Sequence, residues 1–127
     1  MIYQNVISYI VSTIKTSIIR KKTTITIKKT KLILNILKTL YKKGFIRNYY
    51  TQNNKIIILL KYKKNLPVIQ DIKQISNVNQ IKYIKQKNIN TLFKNTAEFL
   101  ISTTEGILTK NECLEKKIGG KILIKIN

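Results

Sequence analysis

The sequence predicts an α+β fold in two small lobes, an N-terminal helix-strand-helix-strand-strand lobe and a C-terminal, mainly β lobe with one short helix. Three observations support this class. Helical and strand periodicities alternate in the first half, the second half is mainly strand-like, and the only proline, Pro67, stands between them. We therefore expect the lobes to comprise residues 1–66 and 67–127.

The first lobe begins with an amphipathic helix and a strand. Apolar residues recur at intervals of three and four between Val6 and Ile18, which puts them on one helical face. Residues 23–28 then alternate between polar and apolar side chains, as a half-buried strand does. Thr30 has the side-chain oxygen that a helix N-cap requires, so it marks the start of a second helix.

The second helix is followed by two strands. Gly44 supplies the left-handed residue that commonly ends a helix. Residues 45–51 and 55–62 are rich in β-branched and aromatic residues, and Asn53 between them tolerates the positive φ of a turn. We expect the buried face of the second helix to consist of Leu32, Ile36, Leu37, Leu40 and Tyr41.

The second lobe contains weaker signals. Residues 68–75 fit either a strand or a short helical turn, whereas residues 81–85 and 99–102 favour strands. Thr109 and Glu112 have the spacing of a capping box, which predicts a short helix ending at Gly119. Residues 121–126 alternate cleanly and predict a final strand.

The charge of the chain indicates its class of partner. Lys and Arg total 25 against 5 Asp and Glu, a formal net charge of +20. Self-repulsion of this size favours association with a polyanion. Nucleic acid is the first candidate and an anionic membrane the second, although the longest apolar run, residues 56–60, is far shorter than the ~20 residues of a membrane span.

The residue types argue against catalysis and against a cofactor. One cysteine and no histidine exclude a disulfide framework and a Cys/His zinc site. The acids are scattered, and only Glu112 and Glu115 are close in sequence, beside Lys116 and Lys117. A nuclease would need a histidine or a cluster of acids to hold metal ions. We therefore predict a protein that is not an enzyme.

Three motifs carry a resemblance to a known family. They are "KLILNILKTLYKKGFI" at residues 31–46, "ISTTEGILT" at residues 101–109 and "GGKIL" at residues 119–123. In order and separation they resemble the eighth protein of the small ribosomal subunit, in its bacterial and organellar form. The resemblance covers nearly the whole chain, and the hydroxyl-rich second motif is its most specific part.

The resemblance implies a structural constituent of the small ribosomal subunit that binds the central domain of small-subunit rRNA and supports its assembly. Its partners would be that rRNA and neighbouring small-subunit proteins, with no membrane and no small-molecule substrate. Short hydroxyls can meet phosphates, 2′-hydroxyls and base edges, and Gly106 lets the backbone come close. The rRNA-binding residues carried over from the family are Thr13, Lys15, Thr30, Lys31, Ser102, Thr103, Thr104, Gly106, Gly120 and Lys121.

The chain departs from the family pattern at several positions. Lys121 stands where the family has Glu, and Lys110 where Asp or His is common. Glu105 stands where Lys is frequent, so we expect it to point away from RNA or to pair with a lysine. Residues 77–79, Asn-Val-Asn, replace a usual Arg-Pro-Gly turn. Cys113 replaces a small residue and is expected to be a packed, inert thiol.

The location and a competing function are also predicted from the sequence. The bias towards Ile, Lys and Asn indicates an A/T-rich genome, and the first residues have no presequence pattern. Together they favour an organelle, the mitochondrion first and the plastid as the alternative. The alternative function is a generic basic nucleic-acid-binding protein that is not part of a ribosome.

Overall fold

A computed structural model describes residues 3–76, 80–94 and 96–127 and has the predicted α+β fold. The predicted order of helix, strand, helix, strand and strand in the N-terminal lobe is confirmed. These elements are α1 (Tyr3–Ile19), β1 (Thr24–Lys28), α2 (Lys31–Lys42), β2 (Ile46–Gln52) and β3 (Lys55–Leu60).

The first sheet is antiparallel, with the strand order β1-β3-β2. Its inner face places Ile25 opposite Ile58 and Ile27 opposite Ile56, and all four side chains are buried against the helices. The alternation of strand side chains therefore directs the residues between them to the opposite face of the sheet.

The predicted start and stop signals of α2 are present. The Thr30 hydroxyl accepts a hydrogen bond from the Ile33 amide at 3.1 Å. At the other end Gly44 has a φ of +79°, and the Phe45 amide reaches back to the Leu40 carbonyl at 2.9 Å, as in a Schellman motif. Asn53, with a φ of +56°, forms the turn between β2 and β3 as predicted.

The predicted buried face of α2 is partly wrong. Tyr41 is 50% exposed, and its ring meets that of Tyr49 edge-on at 6.1 Å between centroids. Leu32 is only partly buried, whereas Ile33 and Thr39 are buried instead. Thr39 is buried because α2 also packs against the other lobe. There the Thr39 hydroxyl donates to the Ile107 carbonyl at 3.4 Å.

The C-terminal lobe is built on a second, five-stranded sheet. Its strands are β6 (Ile72–Gln74), β7 (Tyr83–Ile84), β8 (Glu98–Thr103), β9 (Gly106–Thr109) and β10 (Gly120–Ile126), preceded by a hairpin of β4 (Tyr62–Lys63) and β5 (Leu66–Pro67). The order is β6-β10-β8-β9, with β7 also paired to β10. Pro67 therefore lies in a small hairpin between the two sheets.

Three features of this lobe differ from the sequence-based expectation. A 3₁₀ helix, Gln86–Lys94, and strand β9 were not predicted. The short helix α3 spans Lys110–Lys116 and ends before the expected Gly119, because Lys117 adopts the left-handed conformation with a φ of +56°. Residues 77–79, which replace the Arg-Pro-Gly turn of the family, lie outside the described residues.

The buried apolar residues form two clusters. The larger one joins Ile7, Ile36 and Ile58 of the first lobe to Leu100 and Ile124 of the second. The smaller one fills the second lobe, around a group that includes Ile89, Phe99, Ile101, Cys113 and Ile122. The two lobes therefore pack on each other through shared core residues, and the boundary after residue 66 stays a prediction.

Among the described residues, no helix has both the length and the apolar character that crossing a bilayer requires. In the same part of the chain, no three His, Cys, Asp or Glu side chains gather as possible metal ligands.

Candidate nucleic-acid interface

The hydroxyl-rich motif forms the β8–β9 hairpin. Thr103 pairs with Gly106, which leaves Thr104 and Glu105 as a two-residue loop at the tip. Gly106 has a φ of +104°, a conformation that side-chain-bearing residues rarely adopt, and a Cβ there would meet nothing within 4 Å. Glycine is therefore required by the backbone of this turn, while the space beside it is open.

The hydroxyls of the hairpin have different surroundings. The Thr103 hydroxyl donates to the Gly106 carbonyl at 2.8 Å and accepts from the Glu105 amide at 3.1 Å, so it closes the turn. Thr104 is exposed at the tip, and among the described residues its hydroxyl has no partner. Ser102 is half-buried in β8. The hydroxyl that the fold leaves most accessible is therefore that of Thr104.

Glu105 is turned to the side of the hairpin by an ion pair. Its Oε1 lies 3.5 Å from Lys116 Nζ on α3. This confirms the prediction that Glu105 pairs with a lysine. Because both side chains are about half exposed, the pair adds little stability, and its main effect is to neutralise the one acid at the tip.

The two consecutive glycines allow β10 to approach its neighbours closely. A Cβ on Gly120 would collide with the carbonyl oxygen of Ser102, and a Cβ on Gly119 would collide with that of Ile84. Gly120 was predicted as an rRNA-binding residue, and the structure gives it a packing requirement of its own. The pairing of β10 with β8 then brings Lys121 opposite Ser102.

A row of side chains crosses this part of the sheet. Tyr83 on β7 pairs with Lys121 on β10, which pairs with Ser102 on β8 and then Ile107 on β9. Directly paired residues project to the same face. Tyr83 is 71% exposed. Tyr83 was not predicted as a site residue, since its only signal in the sequence is an aromatic residue in a predicted strand. Its neighbours in the row depend on the pairing of β7 with β10.

The four candidates in the first lobe lie apart from this row. Thr30 caps α2, and Lys31 is exposed in its first turn. On α1, the Thr13 hydroxyl donates to the Tyr9 carbonyl at 2.8 Å, and Lys15 Nζ lies 3.6 Å from Asp71 Oδ1. In the described part of the chain, these four side chains make contacts within the first lobe or with Asp71. The candidate residues therefore form two groups.

The helix α3 that supports the hairpin carries the predicted capping box. The Thr109 hydroxyl accepts from the Glu112 amide at 3.4 Å, and the Thr109 amide donates to Glu112 Oε1 at 3.3 Å. Burial by itself raises the pKa of Glu112, but the hydrogen bonds from Thr109 and the positive charge of Lys42 outweigh it and hold the pKa below its usual value. Lys42 Nζ lies 3.7 Å from Glu112 Oε2, which ties α2 to α3.

Two unusual residues on α3 are structural. Lys110 is buried and donates to the Ala97 carbonyl at 2.8 Å. Its Nζ lies 5.1 Å from the centre of the Phe93 ring, and this contact anchors the 3₁₀ helix. Cys113 is buried, and burial together with the charge of Glu112 raises the pKa of its thiol to about 11. The predicted packing of this thiol is confirmed by its burial, and its inertness stays a prediction, which the raised pKa supports because the thiolate is the reactive form.

The fold, the basic charge and the hairpin together are typical of a protein that binds nucleic acid. Residues 5–127 match the family model described as Ribosomal protein S8. The chain belongs to this family, which is a structural, non-enzymatic component of the ribosome whose members bind rRNA and other small-subunit proteins. The resemblance predicted from the three motifs is thereby confirmed.

Relatives in three kinds of organism support this membership. The chain is 38% identical to small ribosomal subunit protein uS8m of Acanthamoeba castellanii, over 97% of this chain and 99% of that protein. It is 34% identical to uS8c of Physcomitrium patens, over 92% and 93%, and 28% identical to uS8 of Malacoplasma penetrans, over 95% and 96%. The mitochondrial prediction and its plastid alternative agree with relatives of both organellar kinds.

Proposed function

We propose that this chain binds the central domain of small-subunit rRNA and supports assembly of the mitochondrial small ribosomal subunit. Its membership of a ribosomal family and its similarity to uS8m support this role. The observation that carries it is the β8–β9 hairpin, which presents the exposed Thr104 beside a row containing Ser102 and Lys121.

Binding proceeds by electrostatic capture followed by local fit. Lysines neutralise phosphates and release counterions, which supplies attraction to any RNA. Selection of the site then depends on groups that donate and accept hydrogen bonds, because irregular RNA loops expose base edges and 2′-hydroxyls. Thr104 at the tip and Ser102 within β8 supply such groups, with Lys121 as the adjacent cation.

The first lobe adds positioning contacts in this proposal. The Thr30 oxygen accepts from Ile33, so its hydroxyl hydrogen is left to donate to a phosphate or a 2′-hydroxyl. Lys31 follows it in the exposed first turn of α2. On α1, Lys15 shares Asp71 with Lys73, whose Nζ lies 4.0 Å from Asp71 Oδ2. Lys73 can therefore keep Asp71 neutralised when Lys15 turns to a phosphate.

A double substitution in the hairpin tests the site. Ser102→Ala with Thr104→Ala should weaken binding to the cognate central-domain RNA by about tenfold, the cost of two hydrogen bonds. Binding to a random duplex of the same length should change little, since lysines dominate it. Filter binding at fixed salt measures both affinities.

Thr51→Ala is the matched control, because it removes an exposed threonine from β2 in the other lobe. It should leave both affinities unchanged. If the hairpin variant instead loses affinity equally for cognate RNA and random duplex, the hairpin has no selective role and the chain acts as a generic nucleic-acid binder.

A further inference from the structure

The first sheet has an open face that is not part of the hairpin site. On one side of β1-β3-β2 the isoleucines face the core, so the alternate residues face outward. These outward residues are exposed on the outer strands and half-exposed at the centre of β3. We define the open face by Thr26, Lys28, Tyr50, Lys55, Ile57 and Leu59.

The charge arrangement on the open face is unfavourable in the free protein. Lys28 on β1 is directly opposite Lys55 on β3, and both are exposed. Like charges in this position destabilise a sheet. All five acidic residues of the chain follow residue 70, so the sequence of this lobe contains none to offset them. Among the described residues neither lysine forms an ion pair.

Next to the two lysines lies an aromatic and aliphatic surface. Tyr50 is 50% exposed and pairs with Ile57, which pairs on its other side with Thr26. Leu59 continues the apolar strip along β3 and is half-exposed. An exposed aromatic ring on a sheet, with cations on the same face, can stack an unpaired base while the phosphate lies beside the lysines.

We propose that the open face is a second RNA-binding surface, which takes a single-stranded segment of small-subunit rRNA. Lys28 and Lys55 contact its phosphates, and Tyr50 with Ile57 stacks an unpaired base. RNA is the occupant because the only charged groups of this face are lysines, which complement a polyanion, whereas a protein partner would need acidic groups to relieve the same lysine pair. The inference rests on the proposed ribosomal role of the chain, and it does not depend on the hairpin.

The first test exploits the opposed lysines. In Lys28→Gln with Lys55→Gln, the thermal midpoint of the free protein should rise by about 1–4 °C, because the repulsion is removed. Affinity for the full small-subunit rRNA should fall, and the slope of log K against log salt should decrease by about 1 per lysine. A purely structural role would not produce higher stability together with weaker binding.

Lys28→Arg with Lys55→Arg is the control, since it keeps the charge and should keep the salt slope. The hairpin variant, Ser102→Ala with Thr104→Ala, is measured alongside. It should lose selectivity while retaining the salt slope, so failure of the hairpin site and failure of the open face give different results. An unchanged slope in the glutamine variant overturns the proposal and points to a protein on this face.

The second test reports on stacking. The chain has no tryptophan, so Tyr50→Trp introduces a single fluorescent indole at the open face. Its emission should be quenched at saturating rRNA and the quenching should disappear when Lys28→Gln and Lys55→Gln are added. Tyr41→Trp, on the helix side of the same sheet, should be quenched less. Equal emission of Tyr50→Trp with and without bound RNA overturns the stacking contact.

Discussion

Gly120 affects both the packing of the second sheet and the candidate site, because it packs directly on the backbone of Ser102. Any side chain there would press on the backbone of Ser102, and a Cβ would also lie 3.1 Å from Ile101 Cγ2. Backbone cannot move aside as a flexible side chain does. We expect Gly120→Ala to destabilise the protein by about 1–3 kcal/mol, as overpacking does, and to weaken cognate RNA binding by displacing Ser102.

Urea unfolding and filter binding measure these two effects. Gly44→Asn is the control, because Asn tolerates the left-handed backbone at that helix end and a Cβ there would meet only Lys61 Nζ, at 3.7 Å. It should cost at most about 1 kcal/mol, which is left-handed backbone strain without a steric collision. A Gly120→Ala protein as stable as the parent would mean that β10 shifts freely.

Single residues were predictable where their role depends on neighbours in sequence. Thr30, Gly44 and Asn53 act through hydrogen bonds or φ values within a few residues, and all three have the predicted roles. The roles of Thr103 and Thr104 could not be distinguished from the sequence motif alone. They differ because Thr103 pairs with Gly106 across the hairpin, and only the backbone geometry of the turn decides which hydroxyl is used internally.

At the scale of elements, α3 joins the hairpin lobe to α2 through Glu112. The pKa of Glu112 is lower in the folded protein than its usual value of 4.5, so the folded state binds its proton less readily. Its stabilising contribution is therefore complete above that value and is lost as the pH falls through the lowered pKa. Glu112→Gln keeps a capping side chain but cannot ionise, so it should cost about 1 kcal/mol near neutral pH.

The measurement is urea unfolding of both proteins between about pH 6 and about pH 3. The difference in unfolding free energy should shrink towards zero at the acid end. Glu115→Gln removes the same charge from an exposed position on α3 and should show a smaller difference near neutral pH. A gap for Glu112→Gln that stays constant down to about pH 3 would contradict the ionic part of the contact.

Elements were predictable where local periodicity was strong. The first lobe has long amphipathic segments, and its five elements follow the predicted order. Strand β9 has only four residues and depends on its pairing with β8, while the 3₁₀ helix Gln86–Lys94 is anchored by Lys110 from a distant segment. The position of Tyr83 beside Lys121 likewise depends on the pairing of β7 with β10. Contacts between distant residues leave little local trace in a sequence.

At the scale of the whole molecule, the net charge of +20 acts in opposite directions on folding and on binding. Added salt screens repulsion within the free protein, and it also weakens attraction to RNA. Between about 50 and 200 mM salt, affinity should fall about 10³–10⁵-fold if ~6–10 phosphates are contacted, while the thermal midpoint of the free protein rises. The rise should be smaller in Lys28→Gln with Lys55→Gln, which has lost two opposed charges. Calorimetry measures the thermal midpoint and filter binding measures the affinity over one salt series. A thermal midpoint that falls with added salt would show that ion pairs, not self-repulsion, dominate the stability of the free protein.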